Sequence, residues 1–529
     1  LEFRRVLFRS MKQIRNIILS TVSVGLAMSL AGCTNSYEDY NQDPYGVSKK
    51  ETERDAYSLG AAMINLQSWV VPTDVNTNQF TECLCGGSYG GYLSDSNAGF
   101  AGKNFAQYSP ENGWSRVLFR DFLPKLSIYF NEVKSATDEP VPLAVAQIVK
   151  VAGIHRVTDA YGPIPYSKVG QNGEITAPYD SQEDVYKLMF KQLDEAIATL
   201  TANRTFNFSP KADKVYAGNV EKWIKFGNSL RLRLAVRISK ADPALAKQEA
   251  EASINNAVGV MSSNDDNAFM TLSNTNPFEV VMYEYNGGDS RVGADITTYM
   301  NGYNDPRREA MFTQSTLENA TNGYYGLRSG IQIPGAEIAH AYSNYKVKTD
   351  SKLMWMNAAE VAFLRAEGAL RNWNMGGTAS DFYKKGVELS FEQWGVKGAA
   401  AYLADNTRTP AVYTDPAGLN TYTGPVSTIT VAWDDNDTPD HKLERIITQK
   451  WLAMFPLGLE AWADYRRTGY PMLMPVKVNN SGGVVSSERG ARRLSYPQEE
   501  RRNNLENYNA AVGMLGGADN MATDVWWAK

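Results

Sequence analysis

Cysteine and histidine are scarce in this chain, with three of each in 529 residues. Cys83 and Cys85 stand one residue apart, where a mutual disulfide would close a strained ring and two ligands fall short of a tetrahedral zinc site. They are expected to be ordinary thiols, so the fold is not stapled. His155, His340 and His441 form no i, i+4 pair, and no H-E-x-x-H helix, G-x-S-x-G elbow or phosphate-binding glycine loop is present. His155 falls in an apolar segment beside Arg156 and reads as a hydrogen-bonded core residue. No catalytic residue, metal centre or cofactor is expected. Charge of one sign is also missing: 53 basic and 58 acidic residues are spread through the chain without a basic block, which argues against nucleic acid. No low-complexity linker divides the sequence, so a single large unit is expected despite the length.

Long hydrophobic runs are confined to one place. Lys12 and Arg15 precede an uncharged apolar stretch from Ile17 to Ala31, shorter than the about 20 residues a spanning helix needs. Basic start, apolar middle and small-residue end are those of a secretory signal. The ending Leu30-Ala31-Gly32-Cys33 is that of a lipobox, in which Cys33 is acylated and becomes the first mature residue. Residues 1–10, ahead of Met11, read as a non-native leader, 11–32 as the signal, and 33–529 as one domain. Ser36-Tyr37-Glu38-Asp39 and Asp43 place acidic residues after the anchor. They serve either as a solvated tether or, by resemblance, as the acidic signal that sends Bacteroidota lipoproteins to the outer face of the outer membrane.

What the chain does have is helical periodicity and aromatic loops. Ser181 to Leu200 opens on a Ser181/Asp184 cap and repeats Val185, Met189, Leu193, Ile197 and Leu200 at three- or four-residue spacing. Val220 to Ser239, Asn357 to Arg371, Glu444 to Tyr465 and residues 141–160 also read as helices. Between them lie polar, Gly/Asn/Tyr-rich stretches, roughly 72–112, 262–350 and 401–442. The pattern predicts a mainly α protein in which helix pairs alternate with long irregular loops, and loops of that length are commonly functional.

Two acidic groups need weighing. Glu360 and Glu367 are seven residues apart on one predicted helix and share a face. A carboxylate pair invites a glycosidase reading, but this helix is apolar, a buried carboxylate must be paired, and Arg231, Arg233, Arg466 and Arg467 are available. Structural ion pairing is the expectation. Asp434-Asp435-Asn436-Asp437, with Asp440 beyond, offers oxygen ligands for calcium or a solvated acidic loop; it lacks the glycine and terminal glutamate of a helix–loop–helix site.

Several segments, in order, resemble the SusD/RagB family of outer-membrane nutrient-binding lipoproteins. Asp159-Ala160-Tyr161-Gly162-Pro163-Ile164-Pro165-Tyr166-Ser167 is similar to that family's D-x-Y-G-x-x-P-Y-S turn, and Tyr179-Asp180-Ser181 follows it. The helix carrying Trp223, Arg231 and Arg233 comes next. Asp305-Pro306-Arg307, Ala359-Glu360-Val361, Ala366-Glu367, Arg466-Arg467-Thr468-Gly469-Tyr470-Pro471, Arg492-Arg493-Leu494-Ser495-Tyr496-Pro497 and Val525-Trp526-Trp527 complete the series. The resemblance implies a tetratricopeptide-like helical-repeat scaffold, the α/α superhelix of SusD. It implies no catalysis by this chain, and partnership with a SusC-like TonB-dependent transporter that the lipoprotein covers as a lid. The cargo would be oligosaccharide or peptide.

The motifs fall in the scaffold, so ligand contacts are sought in the loops at 65–115 and 280–330. Trp69, Asn78, Tyr89, Tyr92, Trp114, Tyr283, Tyr285 and Asn286 could stack on sugar faces or satisfy hydroxyls, and packing within the loops is an equal alternative for each. Trp526-Trp527 is expected to plug the core. The rival readings are a surface-anchored hydrolase of the same polymers, and a helical interaction scaffold with no small-molecule site.

Overall fold

Most of the long helices pack on a helix next to them in sequence. The computed structural model describes residues 57–169, 176–206 and 208–529; the leader, the signal, Cys33 and the acidic residues after it lie outside them. The chain divides into Leu1–Ser58 and Leu59–Lys529, and the second unit is the subject here. Its α-helices of nine residues or more, among those that lie wholly in this unit, are α1 Leu123–Ala136, α2 Pro140–Tyr161, α3 Gln182–Ala202, α4 Val220–Arg237, α5 Pro243–Asn255, α6 Ala294–Gly302, α7 Ala358–Leu370, α8 Ala379–Gln393, α9 Pro439–Ala453, α10 Gly458–Thr468 and α11 Leu505–Leu515. Each of α1 to α4 packs on the next, α4 reaches both α5 and α7, and α7, α8 and α9 pack mutually.

Caps and stripes explain the boundaries. Ser181 accepts the Asp184 N–H at the start of α3, Asn219 that of Lys222 at α4, and Asn357 that of Glu360 at α7. Val185, Met189, Leu193, Ile197 and Leu200 are all buried, and each such side chain contributes about 1.5–3 kcal/mol by leaving water. Gly227 lets α4 close on its neighbours: a Cβ there would stand 3.0 Å from both Ile148 of α2 and Ile197 of α3. Glu444 to Tyr465 proves to be two helices rather than one, because Pro456 has no N–H to continue the ladder. Leu123–Ala136, Pro243–Asn255 and Ala379–Gln393 were not singled out by periodicity, and the 262–350 stretch contains α6.

The sheets are two small antiparallel ribbons among the described residues. β1 Leu93–Asp95 pairs with β3 Ser290–Val292 in the register Leu93↔Val292, Ser94↔Arg291, Asp95↔Ser290. β2 Ala268–Met270 pairs with β4 Leu353–Met356, with a register shift between Ala268 and Phe269. The D-x-Y-G-x-x-P-Y-S turn is closed by Asp180, whose carboxylate accepts from Ser167 Oγ at 2.6 Å and from the backbone N–H groups of Ser167 at 2.7 Å and Tyr166 at 3.1 Å. Gly162 takes φ 88° where α2 ends, a left-handed value that suits glycine; Pro165 is half-buried beside it.

Candidate ligand-binding groove

The charges of the sequence motifs come together in the helical core. Arg233 grips Glu360 with Nε and Nη2, both at 2.7 Å. Arg467 holds Glu367, with Nη2 at 2.8 Å, and Arg371 donates to the same carboxylate at 2.8 Å. Arg237 bridges Asp159 and Glu460 at 2.5 Å each, while His155 Nε2 meets Glu460 at 2.8 Å. Lys450 and Arg467 both reach Asp464, at 2.7 and 3.2 Å. The Trp527 indole, fully buried, donates to Asp159 at 2.8 Å, so the chain's end does plug the core.

Electrostatics follow from that pairing. Burial alone would raise Glu460, yet Arg233, Arg237 and His155 hold it well below the carboxylate range. In the same way Arg467 and Arg371 overcome burial and hold Glu367 at about 2. Both carboxylates are therefore taken up by guanidinium groups inside the core, Glu360 by Arg233 and Glu367 by Arg467 and Arg371, as the apolar helix around them calls for. Two of the four arginines proposed as their partners pair elsewhere. Arg231 binds Glu249 at 2.6 Å and Asp194 at 3.1 Å, because its position on α4 faces α5 and α3. Arg466 donates to the carbonyls of Asp159 at 2.6 Å and Arg492 at 3.0 Å, and lies 3.7 Å from the Trp462 ring centre. Tyr161 donates to the Ser115 carbonyl and Trp223 to Asp213, the latter at 2.8 Å.

Cys83 and Cys85 are free and buried, and burial raises both thiols. Among the described residues no three His, Cys, Asp or Glu side chains converge as metal ligands. In the acidic loop, Asp435 accepts from the Trp433 indole at 2.8 Å, Asp434 from the Asn436 N–H at 2.8 Å, and Asp440 from the Tyr470 hydroxyl at 2.8 Å. Asp437 lies 2.7 Å from His441 Nδ1 and 3.1 Å from Arg445 Nη2.

The eight loop residues singled out as ligand contacts separate sharply. Tyr92 is fully buried, donates to the Trp451 carbonyl and stacks on that indole at 5.5 Å. Asn78 is fully buried and donates to the Pro72 carbonyl at 3.0 Å. Both are core residues with no surface to offer a ligand, a correction to the sequence reading. Trp69 is half-buried with its edge on Phe122 at 5.8 Å, and Trp114 packs between Phe100 at 5.0 Å and Phe80 at 5.3 Å. Tyr283 is exposed, with its hydroxyl on the Tyr345 carbonyl at 2.6 Å. Tyr285 touches Asn76 at 3.3 Å, and Asn286 donates to Asp289 at 2.9 Å. Tyr89 lines a small cavity of about 40 Å³ walled by Tyr108, Trp462 and Tyr465 with Asp295 in its lining.

The larger opening is elsewhere in the same loop layer. A groove of about 560 Å³ runs between α6, the 308–325 loop and residues 411–414. Its wall carries Tyr324 and Tyr325, both half-buried, with Val412 57% exposed at the rim. The Arg308 guanidinium lies 4.7 Å from the Tyr324 ring centre and donates to Asn301 Oδ1 at 2.8 Å; Asn301 in turn donates to the Tyr324 carbonyl at 2.7 Å. Gln314 holds the Asn322 carbonyl at 3.0 Å. The walls are fixed to the scaffold side by the Ala411 N–H on Thr298 O at 3.1 Å and the Tyr413 hydroxyl on Gly326 O at 3.0 Å. Asp295 joins the small cavity to a further hollow lined by Thr298, Ala411 and Tyr413, residues that also line the groove. Burial pushes the Asp295 carboxyl up to about 6 against the hydrogen bond from the Met474 N–H.

None of these groove residues was named from the sequence. The available signal was the adjacent pair Tyr324-Tyr325 inside the 280–330 search region, together with the irregular 401–442 stretch that supplies the facing wall. Flat rings, amides with both donor and acceptor, and one cation suit a polyhydroxylated ligand held by stacking and hydrogen bonds.

Residues 39–528 match the family model described as SusD-like, the Susd and RagB outer membrane lipoproteins, and the chain belongs to that family. Its fold is that of the solved SusD homologues. One from Bacteroides uniformis is 52% identical with a TM-score of 0.86, covering 89% of this chain and 99% of that one. One from Bacteroides ovatus is 42% identical with a TM-score of 0.85, covering 90% and 100%. A chitin-binding SusD homologue from Flavobacterium johnsoniae is 40% identical with a TM-score of 0.84, covering 89% and 98%. No curated protein matches the chain. No helix among the described residues is long and apolar enough to cross a membrane.

Proposed function

We propose that this lipoprotein, anchored through Cys33 and facing outward, captures oligosaccharide in the Tyr324 groove and delivers it as a lid to a SusC-like TonB-dependent transporter. The observation that carries the binding role is the groove itself: an open trough with aromatic, amide and guanidinium groups, set on loops braced by the helical scaffold. Membership of a nutrient-binding family and the chitin-binding relative support a saccharide cargo over a peptide. Capture breaks no bond. The conspicuous carboxylate pair is locked in ion pairs, which favours a binding role over a hydrolytic one. Coupling to transport requires only that open and closed lids differ in ligand affinity.

The protein with Cys33→Ser, titrated calorimetrically against neutral and charged oligosaccharides and peptides, tests the reading. Saturable heat with saccharides, without new reducing ends, is the expected result. New reducing ends would replace the binding role with hydrolysis, and saturation by peptides alone would replace the cargo. The delivery step is tested by affinity purification of the tagged lipoprotein from its own outer membrane. A co-purifying TonB-dependent barrel supports the lid, and a solitary lipoprotein contradicts it.

A further inference from the structure

Asp95 ends β1 with its side chain buried, and among the described residues neither carboxyl oxygen has a partner within hydrogen-bond geometry. The Ser88 hydroxyl lies beside it and works against the rise of its carboxyl, and Ser88 Oγ has no other hydrogen-bond partner among the described residues. Ser290, directly across the ribbon, is fully buried, and its hydroxyl is unpartnered too. Residues opposite one another in an antiparallel pair project to the same face, so the two Asp95 oxygens and the Ser290 hydroxyl, three oxygens in all, share one enclosed place beside the Ser88 hydroxyl.

The surroundings supply no counter-charge. Asp289 is a second buried carboxylate whose field reaches Asp95, and its own oxygens accept the amides of Gln79 at 2.6 Å, Asn97 at 2.8 Å and Asn286 at 2.9 Å. The helical segment Gln79–Gly87, packed on β1, brings Glu82, which Arg156 occupies at 2.6 Å, and the Cys83 thiol. Tyr89 feels the Asp95 charge as a phenol. Arg291 sits opposite Ser94 and therefore on the other face, where it donates to the carbonyls of Ser290 at 2.9 Å, Gly287 at 3.0 Å and Met282 at 3.1 Å. His340 faces Arg291 and Asp289. The Arg328 guanidinium is taken by the Pro475 carbonyl at 2.8 Å.

A carboxylate buried without donors or a cation is costly, and taking up a proton removes the cost. Burial first, then Asp289, pushes the Asp95 carboxyl up to about 8. We infer that Asp95 is a proton-operated latch, which keeps the β1–β3 ribbon and the Asp289-tethered 285–289 loop closed as the neutral acid and loosens them on ionisation. The ribbon leads directly into the groove: β3 runs through Gly293, bridged to Leu327, into α6, whose Thr297, Thr298 and Asn301 line it. The latch does not depend on which ligand the groove takes.

The sign follows from the raised carboxyl. Between about 4 and about 8 the folded chain keeps a proton that the unfolded chain has lost, so stability falls as pH rises through that window. Melting temperatures of the full chain and of Asp95→Asn, measured from about pH 5 to about pH 9, read this directly. The expected result is a downward shift of several degrees for the wild type that Asp95→Asn lacks, with the variant the more stable of the two at the alkaline end. Parallel profiles would overturn the latch. So would a calcium-dependent rise in wild-type melting temperature that Asp95→Asn abolishes, since the three oxygens would then serve a metal. If the variant does not fold, the infrared carbonyl band of a protonated carboxyl decides. It is expected in Asp295→Asn at neutral pH and lost at alkaline pH, and its absence at neutral pH contradicts the proposal.

Discussion

The helical core and the loop layer treat charge in opposite ways. In the core, Asp159, Arg233, Arg237, Glu360, Glu367, Glu460, Asp464 and Arg467 are buried, and each has a carboxylate or guanidinium against it. In the loops, among the described residues, Asp95 has no ion pair, Asp295 accepts from the Met474 N–H and has no ion pair, and Arg308 has a loose ion pair with the exposed Glu309 at 4.0 Å. The desolvation of a buried charge is offset only by good pairing. The core therefore fixes one arrangement of helices, whereas the loops retain unspent polar capacity. Unspent capacity is what a ligand or a proton can use.

The largest effect expected from breaking this contrast is in the core. Arg237→Ala takes the bridging guanidinium from both Asp159 and Glu460, leaving the first with the Tyr186 and Trp527 donors and the second with His155 and Arg233, and should cost about 3–5 kcal/mol in urea unfolding. Arg308→Ala, the same deletion in the groove, should leave the unfolding curve nearly unmoved. Equal costs would erase the distinction between the two layers.

Next in size is the acid limb of stability. Glu367 is held at about 2 in the folded chain against 4.5 in a free side chain. Its contribution, on the order of 3 kcal/mol, is complete above the unfolded value and is lost as pH falls toward the folded one. Glu367→Gln should be less stable at neutral pH and lose less on acidification than the wild type. An unchanged acid slope would mean that this pair does not govern acid unfolding. The core thus loses stability toward acid while Asp95 costs stability toward alkali, two opposite limbs from two treatments of a carboxylate.

A smaller and more specific effect belongs to the groove. Tyr324→Ala should weaken saccharide binding about five- to tenfold, the scale of one aromatic contact, with no change in melting temperature. Trp114→Ala, whose ring is wedged between Phe80 and Phe100, should do the reverse and lower stability while sparing affinity. The smallest effect is expected on the outer face of α3, where Lys187→Ala removes an exposed ion pair with Glu183 and should leave melting unchanged.

Much of the core was legible because its cause is local. Val185 to Leu200 follow helical periodicity, Ser181 and Asn357 are ordinary caps, and the isolation of Glu360 and Glu367 among apolar neighbours already called for arginine partners. Which arginine meets which glutamate was not legible, since Arg231 and Arg233 differ by two positions on α4 and point to different neighbours. The loops resisted for a related reason. Tyr92, Asn78 and Tyr324 look alike as sequence, and only the tertiary path decides that the first two are sealed behind Trp451 and Pro72 while the third opens on the groove. Lipid attachment at Cys33 rests on the sequence pattern alone.

A crystal structure of the protein with the oligosaccharide that it binds tightest would test the groove most directly. The prediction is an intact saccharide lying along Tyr324 and Tyr325, its hydroxyls on Asn301 and Arg308, with the Glu360 and Glu367 ion pairs unbroken. A ligand seated away from this groove, or a cleaved one, would contradict it.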